Sequence, residues 1–371
     1  MLVALLATAS ALVPFGAANA AYRFSDFQGK PPVHVYRSAE KAPSGVTPAE
    51  IKKIYNLPAT GGKGTIALID AYDDVNMESD LAAFDKQFNL PACTMANGCF
   101  EKHKMATSTA SNSGWAMETS LDVEWAHAIA PNAKILLVEA KTPSGANLMS
   151  AVDYAAARKD VVAASMSWGG AEFSDELAED SQFVGKASSS VAFFASSGDD
   201  GAGASWPASS PNVIGVGGTS LELASSGTLI AESAWSGSGG GVSAYEKEPA
   251  WQTAYKISKA NGMRAIPDVS YDADPASGYP VYLTTGTGSK AKGSWNTVGG
   301  TSAGSPQWAA IQALGGTAAL DKFYTDKAST STLKFFRDIT SGSNGTCKYY
   351  CDARKRYDYV TGLGSPQTTR F

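Results

Sequence analysis

The chain predicts an α/β protein with a mostly parallel β-sheet flanked by helices on both faces. Two observations point there. Strand-like apolar runs recur at residues 64–70, 134–139, 161–166, 191–195 and 212–216, with helical text between most of them. That alternation is the pattern of strands joined by crossover helices. With 371 residues, 44% hydrophobic and 18% charged, the chain is also long and apolar enough to bury a full core.

Residues 1–20 form an apolar run that ends Ala-Asn-Ala before Ala21. The run is short for a membrane span and has the small-x-small ending of a signal-peptidase site, so we read it as a signal peptide and expect a secreted, extracellular protein. It lacks the usual positive n-region. Residues 21–46 are polar and proline-rich without clear periodicity, and are expected to wrap the surface as an N-terminal arm. From residue 47 to 371 the text reads as one domain. Thr47 and Glu50 form a capping box for a short helix over 47–55. Residues 64–70 are a buried strand and 77–88 a helix.

Residues 115–131 read as a helix stopped near Pro131. At roughly 100° per residue, Glu118, Asp122, Trp125 and Ile129 share a stripe about 60° wide, while His127 points the opposite way. Two carboxylates therefore lie on the apolar face, where each needs a partner, a proton or a hydrogen bond. Glu124 is the natural member of a solvent-facing acidic turn.

Two further stretches carry chemistry. Residues 191–195 run into Ser196-Ser197-Gly198-Asp199-Asp200-Gly201, a strand leading to a turn whose first acid is Asp199. Gly299-Gly300-Thr301-Ser302-Ala303-Gly304-Ser305-Pro306 then puts a serine at the start of an apolar helical run. Its proline falls where a first turn tolerates one. Glycine lets a substrate backbone approach, and the helix dipole favours negative charge near an attacking serine.

A net charge of -5 and a pI near 5.3 give no basic patch for nucleic acid, and no later stretch is long and apolar enough to cross a bilayer. Cys93 with Cys99 and Cys347 with Cys351 are close pairs, which in an exported protein most simply close two local loops. A zinc site would need four ligands from distant loops, and His34, His103 and His127 show no ligand spacing.

Taken in order, Glu118-x-x-x-Asp122, Ser197-Gly198-Asp199 and Gly300-Thr301-Ser302-x-x-x-Pro306 resemble the sedolisin family of serine-carboxyl peptidases, which share the subtilisin fold. The resemblance continues through Trp206-Pro207-Ala208-Ser209, Val216-Gly217-Gly218-Thr219, the glycine run after Trp235, and Tyr357-Asp358-Tyr359-Val360-Thr361-Gly362. It covers residues 47–371. It implies Ser302 as nucleophile, Glu118 as general base, Asp122 coupled to Glu118, and Asp199 at the oxyanion, with Asp70 and Trp168 as further members of the network. An aspartate donates only when protonated, and a carboxylate base has an ordinary pKa near ~4, so the expected enzyme is an acid-active endopeptidase.

The same resemblance implies one structural calcium ion held by Asp338, Ile339, Arg354, Arg356 and Asp358. The family's carbonyl ligands usually lie in a Gly-x-Gly-x-Asp run, whereas this chain has Arg354-Lys355-Arg356-Tyr357-Asp358. Family precursors also carry a long prodomain, for which residues 21–46 are too short. The arm is expected to substitute for it in part, or the natural chain to be longer. The expected partner is a peptide or protein substrate, with no nucleic acid and no membrane, and the expected state is a monomer. The alternatives are a catalytically silent sedolisin-like binding protein and a subtilisin-type Asp/His/Ser protease, which wants a His-Gly-Thr context that none of the three histidines has.

Overall fold

Strand and helix alternate along the chain as the apolar runs require. The computed structural model describes residues 22–186, 190–316, 320–325 and 335–369. The expected signal peptide lies outside them. In chain order the strands are β1 (His34–Glu40), β2 (Thr65–Ala71), β3 (Phe100–Lys104), β4 (Lys134–Ala140), β5 (Val161–Met166), β6 (Gly170–Ala171), β7 (Ala192–Ser196) and β8 (Ser205–Trp206). They continue as β9 (Val213–Leu223), β10 (Leu229–Ala234), β11 (Gly241–Lys247), β12 (Met263–Ile266), β13 (Val269–Asp272), β14 (Tyr279–Thr285) and β15 (Lys292–Gly299). The helices that matter are α1 (Pro48–Ile54), α2 (Met77–Phe88), α3 (Ser113–Ile129), α4 (Gly145–Ala157), α5 (Ala250–Tyr255) and α6 (Gly304–Ala313).

The central sheet has eight strands in the order β10-β9-β7-β5-β2-β4-β3, with β13 also paired to the long strand β9. Every pairing in it is parallel except β10 with β9. Pleating sends Ile66 and Leu68 of β2, with Ile135 and Leu137 of β4, to the face covered by α3 and α6. Ala67 and Ile69, with Leu136 and Val138, go to the face covered by α4. Both faces are dry, which is why these strands read as unbroken apolar runs.

The helix α3 departs from the amphipathic pattern expected of it. It starts at Ser113, two residues earlier than expected, because the Asn112 side chain caps it by accepting from the Gly114 and Trp115 N–H groups. From Met117 to Ile129 every residue is buried. One side lies on the central sheet and the other under the β14–β15 hairpin: Trp125 Nε1 donates to the Pro280 carbonyl at 3.0 Å, and Tyr282 N donates to Glu124 Oε2 at 3.0 Å. Glu124 is thus not a solvent-facing residue. A hairpin distant in sequence covers it, and a helix-face argument has no access to that.

The arm also differs from expectation. Its second half is β1, which pairs antiparallel with β15, so that His34 stands opposite Gly299. Its first half has a 3₁₀ turn over Phe24–Asp26 and then runs extended, with Phe27 fully buried. The expected disulfides Cys93–Cys99 and Cys347–Cys351 are both present. Among the described residues no helix is long and apolar enough to cross a membrane.

Many carboxyls are buried away from the expected site. Burial lifts Asp80 to about 6, Asp85 to about 7 and Glu246 to about 8. An unfolded carboxyl titrates near ~4, so the folded chain holds protons that the unfolded chain has released. The stability these groups contribute is complete below about pH 4 and is lost as pH rises through about 6 to 8. The melting temperature, followed by circular dichroism, is expected to fall steadily from pH 4 to pH 8; a rise over that window would contradict this reading.

Candidate active site

Three neighbouring strands of the sheet end side by side, and each delivers one polar group at its carboxyl end, where open parallel sheets gather their chemistry. Strand β2 delivers Asp70, β5 leads into Ser167-Trp168, and β7 leads into Ser197-Gly198-Asp199. The first turns of α3 supply Glu118 and Asp122, one turn apart on the face toward the sheet. Ser302 comes from a single 3₁₀ turn, Thr301–Ala303, between β15 and α6.

Glu118, Asp122, Asp70 and Ser302 are all 0% exposed. Ser302, at the start of the helical run, is covered rather than open to solvent. Glu118 has the Ser302 hydroxyl and the Asp122 carboxyl as polar neighbours, without a well-formed hydrogen bond to either. Asp122 Oδ1 accepts from Ser167 Oγ at 2.7 Å, and that hydroxyl also lies 3.3 Å from the Ser302 carbonyl oxygen. Burial first, then the nearby Asp70 charge, pushes the Glu118 and Asp122 carboxyls well above the ordinary range. Asp70 is raised by burial and by Glu139 and Asp74. Charges this close in a dry pocket cannot all ionise, so the three titrate as a set.

Asp199 is held from two sides. Its Oδ1 accepts from Thr301 N and Thr301 Oγ1, both at 2.8 Å, while Gly198 N donates to the same threonine hydroxyl at 3.1 Å. This network fastens the Asp199 loop to the residue before Ser302. Its Oδ2 lies 3.0 Å from His34 Nε2. Burial raises the Asp199 carboxyl, against the lowering effect of His34 and Thr301. Thr301 thus spends its hydroxyl on Asp199.

Trp168 is buried and donates from Nε1 to the Ile69 carbonyl at 2.8 Å, beside Asp70, so it braces the strand end. Sequence reasoning missed Glu139, Ser167 and His34. Glu139 ends β4 next to β2, and its Oε1 takes Lys102 Nζ at 3.0 Å and Asp74 N at 2.9 Å; burial lifts it to about 7. A carboxylate closing an apolar strand was the signal for it. The other histidines are elsewhere: His127 Nε2 is 2.9 Å from the Pro91 carbonyl, and His103 stacks on Tyr154.

The residues expected to bind calcium do converge. Arg354 N donates to Asp358 Oδ2 at 2.9 Å, and Arg356 N reaches the two Asp338 oxygens at 2.9 and 3.0 Å, so both acids bracket one loop. Neither acid forms an ion pair among the described residues. Burial raises Asp338 and lifts Asp358 to about 7. The Arg354 guanidinium turns away to Asp352 at 3.1 Å and over the Tyr349 ring, and Arg356 takes a φ of +67°, a conformation glycine adopts more easily. One buried acid, Asp358, and one half-buried acid, Asp338, neither in an ion pair among the described residues, suit a hard ion with oxygen ligands.

The sequence profile of the subtilase family, peptidase S8, matches residues 104–333. The chain is 29% identical over 372 residues to sedolisin of Pseudomonas sp. (strain 101), covering 86% of this chain and 60% of the relative. It is 30% identical over 369 residues to kumamolisin of Bacillus sp. (strain MN-32), covering 89% and 63%. The chain therefore spans about three-fifths of the length of these relatives. A solved structure of Pseudomonas sedolisin, a serine-carboxyl proteinase complexed with pseudo-iodotyrostatin, superposes with a TM-score of 0.72 at 27% identity, over 89% of this chain and 96% of that one. The chain belongs to the subtilase family, among its sedolisin-like members.

Proposed function

We propose that the chain is a secreted, acid-active serine-carboxyl endopeptidase that cleaves peptide bonds through an acyl-enzyme on Ser302. The observation that carries this reading is the meeting of the Ser302 hydroxyl with the Glu118 carboxyl in a dry pocket, backed by Asp122 and Asp70. Its likeness to a sedolisin solved with a bound inhibitor supports a peptide substrate.

In the proposed step Ser302 Oγ attacks the substrate carbonyl while its proton passes to Glu118. Of the coupled acids only Glu118 needs to be ionised; Asp122 and Asp70 remain protonated, and Ser167 holds Asp122 in place. The substrate oxygen then becomes an anion and needs a donor. Oδ1 of Asp199 is occupied by two Thr301 donors, so Oδ2 is the atom that carries the proton to the oxyanion. Glu118 then returns its proton to the leaving amine, and water, activated by the same carboxylate, releases the acyl group.

Two opposite proton requirements follow. The Glu118 set must have lost one proton and Asp199 must have kept its own. The pH profile of peptide cleavage is expected to be bell-shaped with its maximum in acid, and a maximum at or above neutral pH would refute the acid mechanism. Ser302→Ala is expected to lower kcat on a mixed peptide library by roughly 10⁴-fold or more with the fold retained. Asp199→Asn keeps a donor of fixed direction and is expected to lower kcat by about 10²-fold with KM little changed; unchanged turnover would remove Asp199 from the mechanism.

We also propose that Asp338, Asp358 and the carbonyls of Ile339, Arg354 and Arg356 hold one calcium ion, which would neutralise two carboxylates that no side-chain ion pair among the described residues neutralises. Chelation is expected to lower the melting temperature by several degrees and calcium to restore it. Asp358→Ala should abolish that response; a chelator-insensitive melting temperature in the unmodified chain would contradict the site.

A further inference from the structure

Toward the carboxyl end of α3, away from Glu118 and Ser302, the fold gathers ligating atoms that the proposed chemistry does not use. The sulfurs of Cys93 and Cys99 and a ring nitrogen of His127 all lie within 4.8 Å of one another. No spacing in the sequence announces this histidine. It arrives because α3 packs beside α2 and the loop that follows α2. Its Nε2 faces that loop, 2.9 Å from the Pro91 carbonyl oxygen and 3.4 Å from Asp85 Oδ1. That Asp85 oxygen is buried and makes no hydrogen bond. Nitrogen and oxygen ligands held about 2.0–2.1 Å from a tetrahedral zinc ion stand about 3.3–3.4 Å apart, so this pair already has the separation of two zinc ligands.

The loop holds this arrangement without relying on its disulfide. Asp85 Oδ2 accepts from Cys93 N at 3.0 Å, and Asn97 Oδ1 accepts from Thr94 N at 3.1 Å and from Cys99 N at 3.0 Å. Asn97 Nδ2 donates to the Ala92 carbonyl at 2.7 Å, and Met95 N donates to Glu78 Oε1 at 2.7 Å. Phe100 N donates to the Thr94 carbonyl at 3.2 Å, while Ile135 N donates to the Cys99 carbonyl at 2.8 Å and fastens the loop to β4. Opening the S–S bond therefore leaves two thiols side by side rather than a slack segment. Cys93 is fully buried and Cys99 only partly, so a reductant or an ion can approach from the Cys99 side. Lys52, whose Nζ donates to the Ala59 carbonyl at 2.8 Å, places a positive charge near His127, and a nearby ammonium favours thiolate over thiol.

We propose that Cys93, Cys99, His127 and Asp85 form a redox-gated zinc site, closed as a disulfide in oxidising surroundings and open to one zinc ion once the disulfide is reduced. In the reducing step a dithiol gives two electrons and two protons, becomes a disulfide itself, and leaves Cys93 and Cys99 as thiols. Zinc then displaces both thiol protons to solvent, with any proton on Asp85, and His127 Nε2 turns its lone pair to the ion in place of its contact with Pro91. The result is a tetrahedral set of two sulfurs, one nitrogen and one oxygen. Two thiolates and a carboxylate carry three negative charges; the ion cancels two, and Lys52 offsets the third. Disulfide and zinc close the same loop, so the end of α2 stays tied to β3 in either redox state. The site shares no residue with the Ser302 pocket, and the inference does not depend on the peptidase reading.

Cobalt(II) is the probe, because thiolate ligands give it a near-ultraviolet charge-transfer band and a tetrahedral site gives it strong visible d–d bands. The full-length chain is reduced with a phosphine, which is removed without air, and titrated with cobalt and then with zinc. Far-ultraviolet circular dichroism reports the fold throughout. The expected result is one cobalt per folded chain with both sets of bands, displaced by one zinc, and neither set in the oxidised chain. Cys347→Ser with Cys351→Ser should leave the bands in place, whereas Cys93→Ser should remove the charge-transfer band. His127→Gln and Asp85→Asn should each weaken cobalt binding about tenfold or more and shift the d–d bands, since even outer partners of a metal site act on that scale. A folded, reduced chain without these bands would overturn the site, as would loss of the fold on reduction whether or not zinc is present. Charge transfer that survives Cys93→Ser would belong to the other cysteine pair, and bands unchanged in both His127→Gln and Asp85→Asn would leave only a pair of thiols; either result would contradict the proposal.

Discussion

Carboxyl groups denied water govern this molecule. A buried carboxylate is costly unless it is paired, so burial and crowding hold Glu118, Asp122 and Asp70 protonated more strongly than solvent would. Everything around them serves to keep the pocket dry. The central sheet closes it from below, the β14–β15 hairpin presses α3 down from above, and the 3₁₀ turn before α6 brings Ser302 beside Glu118. An imidazole base would need none of this; a carboxylate base with an ordinary pKa near ~4 gains basicity from such a pocket.

The same physics links the site to the rest of the chain. Asp80, Asp85, Glu139, Glu246 and Asp358 are also lifted by burial, which favours the folded state in acid. Asp199 ties together two distant segments. Thr301 fixes its position relative to Ser302, while its Oδ2 lies 3.0 Å from His34 Nε2 of the arm.

Local text revealed a large part of this. The parallel strands were legible as unbroken apolar runs, α1 from its capping box, and the two disulfides from close cysteine pairs. Glu118 and Asp122 stood out because two acids on an apolar stripe demand an explanation, and the Gly-Thr-Ser turn and the strand-end Asp199 completed the set. What escaped depended on contacts between distant segments. Glu124 looks solvent-facing on a helical wheel and is buried only because Tyr282 and its hairpin fold over it. His34 sits in a polar stretch without periodicity, and its contact with Asp199 spans 165 positions of sequence. Phe27 is a single aromatic in the same stretch, and nothing local predicts that three rings from the domain will enclose it.

The relation between Ser302 and Glu118 can be measured without a peptide substrate. A small fluorophosphonate reacts with an activated serine, and intact-mass spectrometry follows its addition to the chain as a function of pH. Modification of Ser302 in the acid range, slowed about 10²-fold or more in Glu118→Gln, is the expected result. Modification that climbs above neutral pH and proceeds equally fast in Glu118→Gln would show that some group other than this carboxyl activates the serine.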